Sequence, residues 1–144
     1  MRLKDEAATA HLAASLANVA RAGDVITLSG PLGVGKTALA RGFLRSLGHQ
    51  DEVPSPSFSI VQPYEDLRPS VWHIDLYRIE DRSEIDELGL DSAEGAVLLV
   101  EWPERAGSDR WPAALRLSLS FAPDGSRILT AQVPPSWEGR WPSE

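Results

Sequence analysis

Between Asp5 and Gly23, apolar residues recur every three or four positions. Ala8, Leu12, Leu16, Val19 and Ala20 fall on one side of a helix that Asp5 can cap. The rhythm then changes. Residues 24–29, DVITLS, are a short run rich in β-branched side chains and predict a buried strand. A glycine-rich loop, GPLGVGKT at residues 30–37, leads into a second helix from about Lys36 to Leu47, closed by Gly48. Two prolines in HQDEVPSPS, residues 49–57, predict a loop. Phe58–Gln62 and Ser70–Leu76 have the character of strands. Within the second, Trp72, Ile74 and Leu76 face one way while Val71, His73 and Asp75 face the other.

The second half of the chain is mostly strand. Asp81–Leu88 has the pattern of a short acidic helix, with Asp81 and Glu84 at capping-box spacing. AVLLV, residues 96–100, is the most apolar strand in the chain and ends at Glu101. Leu115–Phe121 and Arg127–Val133 alternate around Asp124-Gly125, which predicts an antiparallel hairpin. The closing stretch SWEGRWPSE is expected to fray over about its last eight residues. Neither an internal repeat nor an interdomain linker is visible.

The loop carries the chemistry. Gly30, Gly35, Lys36 and Thr37 satisfy G-x-x-x-x-G-K-[ST] in full, between a predicted strand and a predicted helix. Gly30, Gly33 and Gly35 let the backbone turn tightly, so that N–H groups across Gly33, Val34, Gly35 and on to Ala38 can face a phosphate chain. The following helix directs its positive end at the same anion. Lys36 would reach the β- and γ-phosphates, and the Thr37 hydroxyl would coordinate Mg²⁺. The expected ligands are therefore a nucleoside triphosphate and Mg²⁺, in an α/β, single P-loop NTPase-like domain spanning residues 1–144. Its central sheet is mainly parallel and flanked by helices, with the antiparallel hairpin at the C-terminal end.

Such a site needs a further carboxylate at the end of a neighbouring apolar strand. Glu101 ends AVLLVE, and Asp75 ends VWHID. One would serve the metal or its waters and the other would position or activate the attacking water. Ser55 or Ser57 could supply a hydroxyl to phosphate, metal or water, although prolines stiffen any loop. Trp102 either stacks near the nucleotide or closes the core. His11 and His49 read as surface histidines, and three histidines without repeated spacing do not suggest a metal cluster.

Composition narrows the setting. The chain has 144 residues, 42% of them hydrophobic and 24% charged, as in an ordinary soluble protein. A net charge of −7 supplies no basic field to gather nucleic acid or an anionic membrane. The absence of cysteine excludes disulfides and thiolate chemistry. Residues 1–24 are interrupted by charge, and no run approaches the roughly 20 apolar residues of a membrane span. A cytoplasmic protein with no membrane segment and no stable autonomous nucleic-acid binding is the expectation.

Four stretches, GPLGVGKTALARGFLRSLG, PSPSF, HIDLYRIED followed by ELGLD, and VLLVEWPER, stand in an order and spacing that resemble the bacterial TsaE family. The resemblance covers roughly residues 5 to 105, with HxDLYR and VEWPER as its most specific parts. It implies an ATPase of tRNA threonylcarbamoyladenosine biosynthesis, working with TsaB and TsaD homologues and meeting tRNA indirectly through their complex. That complex transfers a threonylcarbamoyl group to the adenosine beside the anticodon, and ATP hydrolysis drives a step of its cycle. The resemblance further assigns Thr37 and Glu101 as Mg²⁺ ligands and Asp75 as a catalytic aspartate. It places Ser57 at a switch-like position and Thr9 beside the bound base. One departure is Pro31, where the family often has Asp; proline removes an N–H donor early in the loop. A P-loop small-molecule kinase and a non-hydrolysing nucleotide-dependent adaptor are the competing readings, the kinase requiring an acceptor pocket and a lid.

Overall fold

The computed structural model describes residues 1–50, 53, 60–93, 95–107 and 110–142. Its frame is one seven-stranded sheet. The strands are β1 (Arg2–Leu3), β2 (Val25–Ser29), β3 (Val61–Tyr64), β4 (Val71–Asp75), β5 (Val97–Glu101), β6 (Leu115–Phe121) and β7 (Arg127–Gln132). Their spatial order is β1-β7-β6-β2-β5-β4-β3. The four central strands, β6, β2, β5 and β4, run parallel, and antiparallel partners close both edges. The mainly parallel centre and the C-terminal hairpin are therefore as the sequence predicts. β1, only two residues long, is an addition: it pairs with β7 through Arg2↔Ile128 and Leu3↔Arg127.

Two longer helices, α1 (Glu6–Val19) and α2 (Lys36–Ser46), pack against each other on one face of the sheet. Asp5 caps α1 by accepting the Ala8 N–H at 2.8 Å. The buried stripe of α1 is Leu12, Ala13, Leu16 and Ala17, so the helix turns its alanines inward beside the predicted leucines. It ends at Val19, earlier than the expected Gly23, because Ala20 is extended and the Arg21 N–H donates to Asp24. At the crossing of α1 and α2, a side chain on Gly42 would meet the Ala13 Cβ at 2.9 Å, so a glycine is required for this approach. α2 ends in a Schellman turn. Gly48, in the left-handed region at φ 111°, donates to Arg45 O, and His49 donates to Leu44 O.

The alternation in β4 is realised. Val71 enters the core beneath the two helices, whereas Ile74 and Leu76, with Trp72 alongside, enter a second core on the opposite face. That second core is covered by the connection from β4 to β5. Within it, the predicted acidic helix Asp81–Leu88 is a single turn, α3 (Ser83–Asp86). The Glu84 carboxylate accepts the N–H groups of Glu80 and Asp81, while Asp81 accepts that of Ser83, so the capping spacing is used to make a turn. Of the strand expected at Phe58–Gln62, Phe58 and Ser59 lie outside the described residues, and the described strand is Val61–Tyr64. It lies at the sheet edge, where Pro63 costs no interior ladder bond.

The tail is a correction. Trp137 is 1% exposed, and Arg140 stacks on its ring and forms a two-pronged ion pair with Asp24 at 2.8 and 3.0 Å. The tryptophan supplies apolar burial, and the desolvated ion pair fixes its register against the end of α1, where Arg140 also donates to Val19 O. The chain is thus packed well into the stretch expected to fray.

Candidate functional site

The parallel register assembles the site. Asp75 and Glu101 are paired positions at the ends of β4 and β5, and Glu101 also pairs with Leu28 in β2, just before the glycine loop. Strand pairing thus brings the loop and both carboxylates to one edge of the sheet, on the face beneath α2. Ligands in open α/β sheets bind at this carboxyl-terminal edge.

The loop adopts backbone angles that glycine permits. Gly33 and Gly35 sit at φ 77° and 115°. Gly30, at φ 141°, is closely packed as well, since a Cβ there would stand 2.5 Å from Leu119 O. Leu39 is the first α2 amide to close a turn, onto Gly35 O at 3.0 Å, so the preceding amides project from the helix end. Val34 is 1% exposed, its side chain in the core and its carbonyl accepting from Arg127 Nε at 3.0 Å. It can meet a ligand only through its backbone. Arg127, which sequence reasoning left aside, ties the C-terminal hairpin to the loop.

Lys36 is buried and folded back over its own loop. Its Nζ donates to Gly30 O and, at 3.1 Å, to Pro31 O, and lies 4.0 Å from the centre of the Trp102 ring. Burial lowers the Lys36 ammonium below its ordinary pKa, and the carboxylates of Glu101, Glu104 and Asp75 oppose that shift. Thr37 Oγ1 donates to the Glu101 carboxylate, 2.9 Å from Oε1 and 3.1 Å from Oε2. His73 Nε2 lies 2.7 Å from Glu101 Oε2. Asp75 accepts the Tyr77 N–H at 2.9 Å, and burial raises its carboxyl pKa above the usual range. The Tyr77 hydrogen bond opposes this rise, Glu101 adds to it, and His73 and Lys36 oppose it.

Around these groups lies a cavity of about 360 Å³ lined by Gly33, Gly35, Lys36, Thr37, Ala38, Asp75, Glu101 and Trp102, with Leu32, Tyr77 and Arg78 at its walls. Trp102 lies between the cavity and the core. It lines this cavity, packs at the margin of the second core, and occupies the left-handed region at φ 59°. Tyr77, a further residue not anticipated from sequence, stacks beside it with ring centres 4.9 Å apart. Thr9 lines a second, larger cavity of about 860 Å³, which shares Gly33, Gly35 and Ala38 with the first. The two cavities therefore flank the glycine loop. Ser57 and Ser55 lie outside the described residues.

Loop, lysine, hydroxyl and paired carboxylates at the edge of a parallel sheet mark an α/β protein with a polar cavity beside its glycine loop. A model of the family described as "Threonylcarbamoyl adenosine biosynthesis protein TsaE" matches residues 3–129, and the chain belongs to that family. A protein of Bacillus subtilis (strain 168) named tRNA threonylcarbamoyladenosine biosynthesis protein TsaE is 39% identical over 125 residues, covering 85% of this chain and 77% of the relative. The protein of the same name from Haemophilus influenzae is 33% identical over 76% of this chain and 71% of its own. Among solved structures, Bacillus subtilis YdiB is similar with a TM-score of 0.80 and 31% identity, over 97% of this chain and 88% of that one. No helix of the described residues is long and apolar enough to cross a membrane.

Proposed function

We propose that this protein is an Mg²⁺-dependent ATPase acting in threonylcarbamoyladenosine modification of tRNA, as the names of its relatives indicate, in company with TsaB and TsaD homologues. The observation that carries the ATPase reading is the contact of Thr37 with Glu101 directly beside Lys36. Hydroxyl and carboxylate oxygens are the hard donors that Mg²⁺ takes, and a buried ammonium is the complement of a polyphosphate. The residues fit the group: Thr37 and Glu101 would hold the metal, whose remaining oxygens would come from phosphate and water. The ion would supply charge neutralisation at the terminal phosphates.

The chain's own groups then divide the work. Lys36 is parked on the carbonyls of Gly30 and Pro31, and exchanges those weak acceptors for phosphate oxygens when nucleotide enters. The amides at the start of α2 receive the same anion. Asp75, paired with Glu101 but bonded to the Tyr77 N–H, would orient a water. The loop flanks Thr9's cavity, which is where base and ribose would lie. The acidic surface, with a net charge of −7, leaves tRNA contact to the partners.

Phosphate release measured for the protein alone, with TsaB and TsaD homologues, and with the pair plus tRNA tests this reading. Slow release alone and faster release with the pair is the expected result. Rapid release indifferent to the pair would favour the kinase reading, and tight binding without release under any condition would favour an adaptor.

A further inference from the structure

We infer that His73 is a positioning residue of this site, holding Glu101 by one oxygen so that the other remains turned towards Thr37. The inference rests on the assignment of Thr37 and Glu101 as holders of Mg²⁺. His73 is 0% exposed and sits at a core position of β4, beside Leu99 of β5 and two residues from Val71, both of them buried. Its Nε2 meets Glu101 Oε2 at 2.7 Å, while its Nδ1 is buried with no partner among the described residues. Burying a polar atom without a partner is unfavourable. A leucine would fill this volume without that cost. What a leucine lacks is the N–H at Glu101.

The geometry shows what that N–H accomplishes. A carboxylate only accepts, so the imidazole proton lies on Nε2 and is donated to Oε2. Thr37 Oγ1 is nearer to Oε1, at 2.9 Å, than to Oε2, at 3.1 Å. The terminal torsion of a glutamate is broad and roughly two-fold, so an unheld carboxylate can present either oxygen in many orientations. His73 limits that freedom: the imidazole holds Oε2, which keeps Oε1 as the oxygen nearer to Thr37. A hydrogen-bonding partner behind a ligating carboxylate has a measurable effect, since its loss typically weakens metal affinity 10- to 100-fold.

The test compares three substitutions by titrating Mg²⁺ against binding of a fluorescent ATP analogue, with a parallel titration in EDTA. Glutamine can place an amide N–H close to where Nε2 stands, asparagine only where Nδ1 stands, and leucine nowhere. His73→Leu and His73→Asn should raise the Mg²⁺ midpoint about 10- to 100-fold, while binding in EDTA stays as in wild type. His73→Gln should return the midpoint towards wild type. Equal midpoints for the glutamine and asparagine variants would overturn the positioning role, and that comparison stands even if the leucine variant fails to fold. Wild-type binding that ignores Mg²⁺ would overturn the metal assignment and this role together. Wild-type binding that requires Mg²⁺, with all variants unmoved, would overturn this role alone.

Discussion

Thr37 and Glu101 are 64 positions apart in the chain and meet at 2.9 Å, the hydroxyl at the first turn of α2 donating to the carboxylate at the end of β5. The contact exists because β5 runs parallel to β2 in a register that pairs Glu101 with Leu28, just ahead of the loop. It joins the glycine loop to the acidic strand end.

Lys36→Ala should weaken nucleotide binding while leaving the fold in place. Among the described residues, Lys36 bonds to loop carbonyls and lies against the Trp102 face, none of them a sheet ladder bond. A charge-assisted contact is worth about 1.5–3 kcal/mol, which corresponds to roughly 10- to 150-fold in affinity. Calorimetric titration with ATP, alongside circular dichroism, checks both parts. Wild-type affinity in a folded variant would remove the phosphate-loop assignment.

The two carboxylates should separate by phenotype. Glu101→Ala is expected to weaken Mg²⁺-dependent nucleotide binding, because Glu101 is the group in contact with Thr37. Asp75→Ala is expected to slow hydrolysis more than it weakens binding, because Asp75 has no hydrogen bond to Thr37 or Lys36. Single-turnover rates measured with nucleotide titrations at several Mg²⁺ concentrations resolve the pair. Reversed phenotypes would exchange the two roles.

Asp75 also gives the protein a pH signature. Burial raises its pKa in the folded state, so folding favours the protonated carboxyl. The stability contributed by that preference is complete below the ordinary carboxylate pKa and is lost as pH rises through the folded-state value. At neutral pH the ionised form therefore costs stability. Asp75→Asn should unfold at a higher temperature than wild type at pH 7 while losing turnover. The difference in unfolding temperature should shrink as pH falls towards about 4. Thermal unfolding across that pH range decides it, and an asparagine variant less stable at pH 7 would contradict the sign.

Arg140→Ala should destabilise the whole domain. The Arg140–Asp24 pair is largely desolvated, with side chains 9% and 10% exposed, and removing one partner of a buried pair costs about 3 kcal/mol or more. Urea unfolding provides the measurement. The combined substitution Asp24→Asn with Arg140→Ala should cost less than the sum of the single changes, since neither leaves the other's charge unpaired.

The sequence by itself determined whatever depends on neighbours along the chain. The glycines of the loop, the cap at Asp5, the Gly48 turn, the alternation in β4 and the Asp124-Gly125 hairpin each follow from local backbone freedom or side-chain period. The glycine loop and its Lys36-Thr37 end were legible because they are contiguous in the chain. Strand patterns named both carboxylates because each ends an apolar strand, and the family resemblance singled out Glu101; that Glu101 contacts Thr37 depends on the register of parallel strands far apart in sequence. His73 could be placed on the face of Asp75, yet its bond to Glu101 exists only once β4 lies beside β5. The tail was misread for the same reason. SWEGRWPSE has no period of its own, and its described part is held by a tryptophan buried in a core that other segments build and by an arginine whose partner, Asp24, lies 116 residues away. Local sequence set what each segment can be; long-range pairing and burial decided which side chains meet.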